Sequence, residues 1–123
     1  MSKTEAVRAA VTEIIGQSAP RVYYGQAESG HPARYAVYEL EELSHTDNQY
    51  VMQLEVNCMD YGTNTAACEA MADQIQKAFD HTVVLNDNLM FRSYIESRQP
   101  VYEEDRKIIR RRLLFEIYFY ERS

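Results

Sequence analysis

Residues 49 to 79, QYVMQLEVNCMDYGTNTAACEAMADQIQKAF, change hydrophobic period once, from that of a strand to that of a helix. From Tyr50 the apolar side chains fall on every second position (Tyr50, Met52, Leu54, Val56, Cys58). A half-buried strand requires this, because its successive side chains point to opposite faces. Beyond Gly62 they return at Cys68, Met71, Ala72, Ile75, Ala78 and Phe79, one stripe of an α-helix. A chain containing that switch must build its core from both sheet and helix.

The remaining segments extend the same pattern. A first helix is signalled by Ser2 or Thr4 as N-cap, by Glu5 three residues after Ser2, and by apolar Val7, Ala10, Val11, Ile14 and Ile15, with Gly16 ending it. A short apolar run, Val22 to Tyr24, precedes the loop GQAESGHPA, and a second strand begins at about Arg34. HTDN, residues 45 to 48, is a turn, so the second and third strands are expected to form an antiparallel hairpin. The second helix is expected from about Thr63 to Thr65 through Asp80, and LNDN, residues 85 to 88, is another turn. MFRSYIESR and KIIRRRLLFEIYFYER then read as two long strands joined around QPVYEED. The expected fold is α+β: one domain over residues 1–123, with a mainly antiparallel sheet of about five strands and two helices packed on one face.

At 123 residues, such a domain buries roughly two-thirds of the unfolded chain's surface, enough for its own core. No apolar run approaches the roughly 20 residues of a membrane-spanning helix, and MSKTEAVRAA lacks the apolar centre of a signal peptide, so the expected compartment is the cytoplasm. The net charge of -6 argues against general affinity for nucleic acid, which depends on neutralising phosphates with Lys and Arg.

The sheet face away from the helices carries more information than the core face. Tyr94, Tyr118, Tyr120, Tyr35 and Val37 place aromatic and aliphatic surface where a one-sided sheet ordinarily shows polar residues. Such a surface marks a partner site, and tyrosine, present ten times, is enriched at interfaces. The plainer alternative is that these rings snorkel at sheet edges. Acidic residues gather at Glu39, Glu41 and Glu42 and again at Glu103, Glu104 and Asp105, while RKIIRRR, residues 106 to 112, is strongly basic. On a strand Arg110 and Arg112 share one face and Arg111 takes the other. Pairing with the acids across strands or between subunits, plain solvated surface and nucleic-acid contact all remain open for them.

Residues suited to catalysis do not converge. His31, His45 and His81 fall in separate loops or element ends, without the spacing that puts two metal ligands on one face. Cys58 and Cys68 lie on core faces, where free cysteine behaves as a small hydrophobe. Ser29 lacks the strand-to-helix elbow of a hydrolase, and Gly25 and Gly30 do not form a phosphate-cradling loop. No catalytic residue, metal or cofactor is expected. The competing view is a small-molecule-binding domain or enzyme with a tyrosine-lined pocket between sheet and helices, using His31 or His81 as acid or base.

The order of elements resembles that of the tail-terminator and tail-completion (tail-to-head joining) proteins of long-tailed bacteriophages and prophages. The likeness runs through the N-terminal helix, RVYYGQ, a proline-containing loop leading into PARYAVYEL, QYVMQLEVNCMDY, TAACEAMADQIQKAF and the closing RRRLLFEIYFYER. Its most specific part is Pro32 ahead of the aromatic strand to Tyr38, followed by a strand ending in an Asp turn and an alanine-rich helix. The resemblance implies a structural virion protein, not an enzyme. It implies a homo-oligomeric ring, expected to be hexameric, that caps the tail tube, stops its polymerisation and offers the head connector a docking face. Arg110, Arg111 and Arg112 would then meet Glu or Asp of a neighbouring subunit, and loops 25 to 33 and 99 to 105 would face tube or connector. The alternative within the same resemblance is another ring protein of the phage neck, a head-tail connector with the same element order.

Overall fold

The computed structural model describes residues 3–46, 49–85 and 89–121. Ser2, Asp47, Asn48 and Asn86 to Asn88 lie outside these, and with them the predicted Ser2 cap and the centres of the HTDN and LNDN turns. The described residues form α1 (Lys3–Gly16), β1 (Val22–Tyr24), β2 (Tyr35–His45), β3 (Gln49–Tyr61), α2 (Ala66–Phe79), β4 (Thr82–Leu85), β5 (Leu89–Pro100) and β6 (Ile108–Glu121). Because α1 begins at Lys3, Thr4 sits inside its first turn and is not its cap. At α2, Thr65 occupies the N-cap position without a side-chain bond, and Asn64 Oδ1 accepts from the Ala66 N–H at 2.9 Å.

The strands make one curled sheet in the order β1-β2-β3-β6-β5-β4. The expectation of about five mainly antiparallel strands is corrected on two counts. The run TVVL forms a sixth strand, β4, antiparallel to β5, and β1 pairs parallel to β2 through Val22↔Ala36 and Tyr24↔Tyr38. Four residues between a helix end and a turn carry too little periodicity to declare a strand. The parallel pairing depends on the path of the loop between β1 and β2, which returns through Gly25 at φ 78, a left-handed conformation that glycine adopts at no steric cost. The α+β class and the β2–β3 hairpin are as expected.

The face toward the helices is the core. Val7, Val11 and Ile15 of α1 and Cys68, Met71, Ala72, Ile75 and Phe79 of α2 are buried against Leu54, Val56, Phe91, Leu113, Phe115, Ile117 and Phe119 of the sheet. Each large side chain removed from water here contributes about 1.5–3 kcal/mol. The helix stripe read from the sequence is thus internal, with Met71 3% and Ile75 0% exposed, except for Ala78, which is partly buried at its margin. Ser93 is the buried polar residue on this face; its hydroxyl donates to the Phe79 carbonyl at the end of α2 and ties that helix to β5. Among the described residues, no helix is long and apolar enough to cross a membrane.

Candidate functional site

The opposite face of the sheet is not covered by a helix, and strand register decides what it presents. Val51, Tyr118, Arg92 and Val83 line up across β3, β6, β5 and β4, and Gln49, Tyr120, Met90 and Leu85 form the next row. Tyr94 stands edge-on to Tyr118, with ring centroids 6.1 Å apart, and His81 packs edge-on to Tyr94 at 5.2 Å. Gln49 Nε2 donates to Tyr120 Oη at 2.7 Å, and Tyr118 Oη donates to Glu116 Oε1 at 2.6 Å. That bond to a carboxylate stabilises the protonated phenol and raises its pKa. Gln49, Arg92, Tyr94, Glu116, Tyr118 and Tyr120 line a shallow, open depression. Half-buried tyrosine rings, with the Tyr118 and Tyr120 hydroxyls engaged, form a stiff amphipathic surface, suited to a protein partner.

Toward the other end of the same face the side chains are charged and linked. Arg112 Nε meets Glu55 Oε1 at 2.6 Å, Asn57 Nδ2 donates to Glu55 Oε2 at 3.1 Å, and Arg110 Nε donates to Asn57 Oδ1 at 2.8 Å. Arg110 also reaches Glu103 Oε1 at 2.9 Å. Arg111 lies on the helix side, where its Nε pairs with Glu69 of α2. Each of the three predicted arginines therefore has a carboxylate partner within its own chain. Of the predicted acids only Glu103 joins them. Asp105 instead accepts from Tyr61 Oη at 3.2 Å and from the Lys107 N–H at 2.9 Å, Glu104 is exposed, and Glu39 and Glu41 stand on the exposed part of β2.

The sequence reading missed a second cluster on the helix side. Arg98 of β5 donates to Asp73 at 2.6 Å, Gln76 at 3.0 Å and Glu69 at 3.1 Å, so Glu69 is shared by Arg98 and Arg111. The acidic half was legible: Glu69, Asp73 and Gln76 recur at helical spacing beside the apolar stripe of α2. What was not legible is that β5 and β6 would bring two arginines to it.

The groups considered for chemistry are dispersed. His31 belongs to the β1–β2 loop, with its Nδ1 2.8 Å from the Pro32 carbonyl, whereas His45 lies 3.3 Å from Glu42 and His81 3.6 Å from Asp80. Among the described residues no group of three or more His, Cys, Asp or Glu side chains could hold a metal ion. The middle of the space between sheet and helices is filled by the core, and the tyrosine-lined concavities open at the surface around it. One is the depression above. Another lies where α1 meets β1 and β2; there Arg8 stacks 3.8 Å over the Tyr24 ring and Tyr38 Oη donates to the Arg8 carbonyl at 3.1 Å.

No family model matches the chain, and no curated protein matches it. Solved structures do. A chain of the virion of a native gene transfer agent particle superposes with a TM-score of 0.63 at 15% sequence identity, covering 91% of this chain and 85% of that one. At that identity the likeness establishes a shared fold across nearly the whole domain.

Proposed function

We propose that the chain is a structural protein of a phage-type virion that caps the tail tube, stops its polymerisation and presents the docking face for the head. The observation that carries this reading is the shared fold, over nine-tenths of the chain, with a chain of a gene transfer agent virion. The element order noted in the sequence supports the same assignment, as does an uncovered sheet face of half-buried tyrosines beside a linked charge network. The role is associative and not catalytic: bound to the last ring of a finished tube, the protein occupies the surface where the next tube subunit would stack. Its partners are further copies of itself, in a ring that we take as hexameric, the tail tube protein and the connector proteins of the head. Its place is the tail-to-head junction of the virion, after assembly in the bacterial cytoplasm.

Removal of the gene from its phage or prophage tests this. The expected result is tubes of uncontrolled length and heads without tails under the electron microscope, both corrected by the gene supplied in trans. Tubes of normal length with unjoined heads would point instead to another ring protein of the neck, and normal infectious particles would overturn the proposal.

A further inference from the structure

The sheet ends in two unlike edges. β1 covers β2 only at Ala36, Val37 and Tyr38, so residues 39 to 45 of β2 have no described strand on that side. Ala36 donates its N–H to Arg21 and Tyr38 accepts from the Gly25 N–H, both toward β1. Backbone groups of a strand alternate between its two sides, so those of Leu40 point to the same, open side. Along this run stand Glu39, Glu41, Glu42 and Leu43; Leu43, 50% exposed, is the extra residue of a bulge where the register with β3 shifts between Glu42 and Ser44, so the regular part of this edge is 39 to 42. At the far end of the sheet β4 pairs with β5 alone. Its sequence, TVVL, contains neither charge nor proline, and Val83 and Leu85 are 57% and 62% exposed. Proteins that remain single chains guard their sheet edges with charge, proline or a bulge. Among the described residues the β4 edge has none of these three, and only its shortness, four residues, limits pairing.

Charge decides which strand fits it. Two β2 runs laid against each other would set glutamate beside glutamate, which is unfavourable. The β4 edge has cations behind it: Arg92 faces Val83 across the β4–β5 pair and is exposed, and Lys77 lies in the last turn of α2. Arg92 lies on the uncovered face, as do Glu39 and Glu41.

We propose that the β4 edge of one copy adds to the stretch of β2 beyond β1 in a second copy. The sheet then continues from chain to chain, with Leu43 meeting Val83 and Leu85 and Glu41 reaching toward Arg92. Two strand spacings, about 10 Å, separate those last positions, a distance that a glutamate and an arginine side chain span together. The joined surfaces differ, so the contact is heterologous, closing into a ring or extending into a filament. This inference rests on the ring reading above.

The test is solution mass by light scattering on the intact chain and on two exposed-edge variants, Glu39→Lys/Glu41→Lys and Val83→Asp, with circular dichroism as the check on folding. Wild type is expected to assemble, and each variant alone is expected to run at the single-chain mass of 14.4 kDa. Mixed, the variants retain one intact edge each and their altered edges carry opposite charges, so the mixture is expected to associate, into a one-to-one pair or larger. Wild type that stays monomeric overturns the ring reading and this contact with it. Wild type that assembles while either variant assembles equally well, or while the mixture stays monomeric, overturns the edge contact and leaves the ring reading standing.

Discussion

Single residues in this fold act mainly by what burial does to their charge. Cys58 and Cys68 are free and fully buried, and burial pushes their thiols up to about 12 and about 11, because a thiolate there would lose its hydration. The unfolded chain ionises both near the ordinary cysteine value, so as pH rises the unfolded state gives up protons that the folded state keeps. Their stabilising contribution is intact below about pH 8.5 and falls by about 1.4 kcal/mol per pH unit per thiol until the folded thiols ionise. Urea unfolding between pH 8 and 11 is expected to show a shallower alkaline loss in Cys58→Ala than in wild type; equal slopes would sink the burial account. Glu69 offers a second check, because it serves both Arg98 and Arg111. Glu69→Ala leaves Arg98 with Asp73 as its carboxylate and takes from Arg111 the carboxylate it pairs with, an expected loss of about 1–2 kcal/mol, between the cost of an exposed pair and of a buried one. Glu104→Ala, at an exposed position, is the control expected to change nothing measurable.

At the scale of elements, α2 is held at its end by a bond that its own sequence does not announce. The Ser93 hydroxyl donates to the Phe79 carbonyl, one of the carbonyls that a helix C-terminus leaves without an internal partner. Ser93→Ala keeps the volume and leaves that buried acceptor unsatisfied, an expected cost of about 1–3 kcal/mol and a fall in melting temperature of roughly 3–10 °C. Calorimetry showing wild-type stability would mean that the carbonyl is satisfied some other way. The β3-to-α2 switch was legible because each element buries one face and its period follows from backbone geometry alone. The alternation of Arg110, Arg111 and Arg112 was legible for the same reason. Strand β4, the parallel β1–β2 pair and the meeting of Arg98 with α2 were not, because each is decided by residues distant in sequence: Thr82 by Ser93, Val22 by Ala36, Arg98 by Glu69. The outer tyrosines were placed by period, but their exposure as a surface depends on there being no covering layer among the described residues, which no local pattern states.

Across the whole molecule, assembly through unlike edges sets two electrostatic effects against each other, and their different ranges predict how salt acts. The chain carries a net charge of -6, so any two copies repel. For centres about 35 Å apart, the distance expected of touching domains of this size, that repulsion in water is about 1.3 kcal/mol at 10 mM salt and about 0.1 kcal/mol at 100 mM. The local attraction proposed between Glu41 and Arg92 acts over a few ångströms once the side chains meet, about 1 kcal/mol per pair in water. It survives 100 mM salt, where the screening length is about 10 Å, and is largely lost at 1 M, where it is about 3 Å. Repulsion therefore dominates at low salt and attraction near physiological salt, and at high salt only the apolar contact of Val83, Leu85 and Leu43 remains. Sedimentation at about 10 mM, 150 mM and 1 M sodium chloride is expected to show the largest assembled fraction at the middle concentration. In Arg92→Ala the fall from 150 mM to 1 M should vanish while the rise from 10 to 150 mM persists, because only the local term has been removed. A variant that keeps the full high-salt loss would show that Arg92 is not the cation the acidic edge meets.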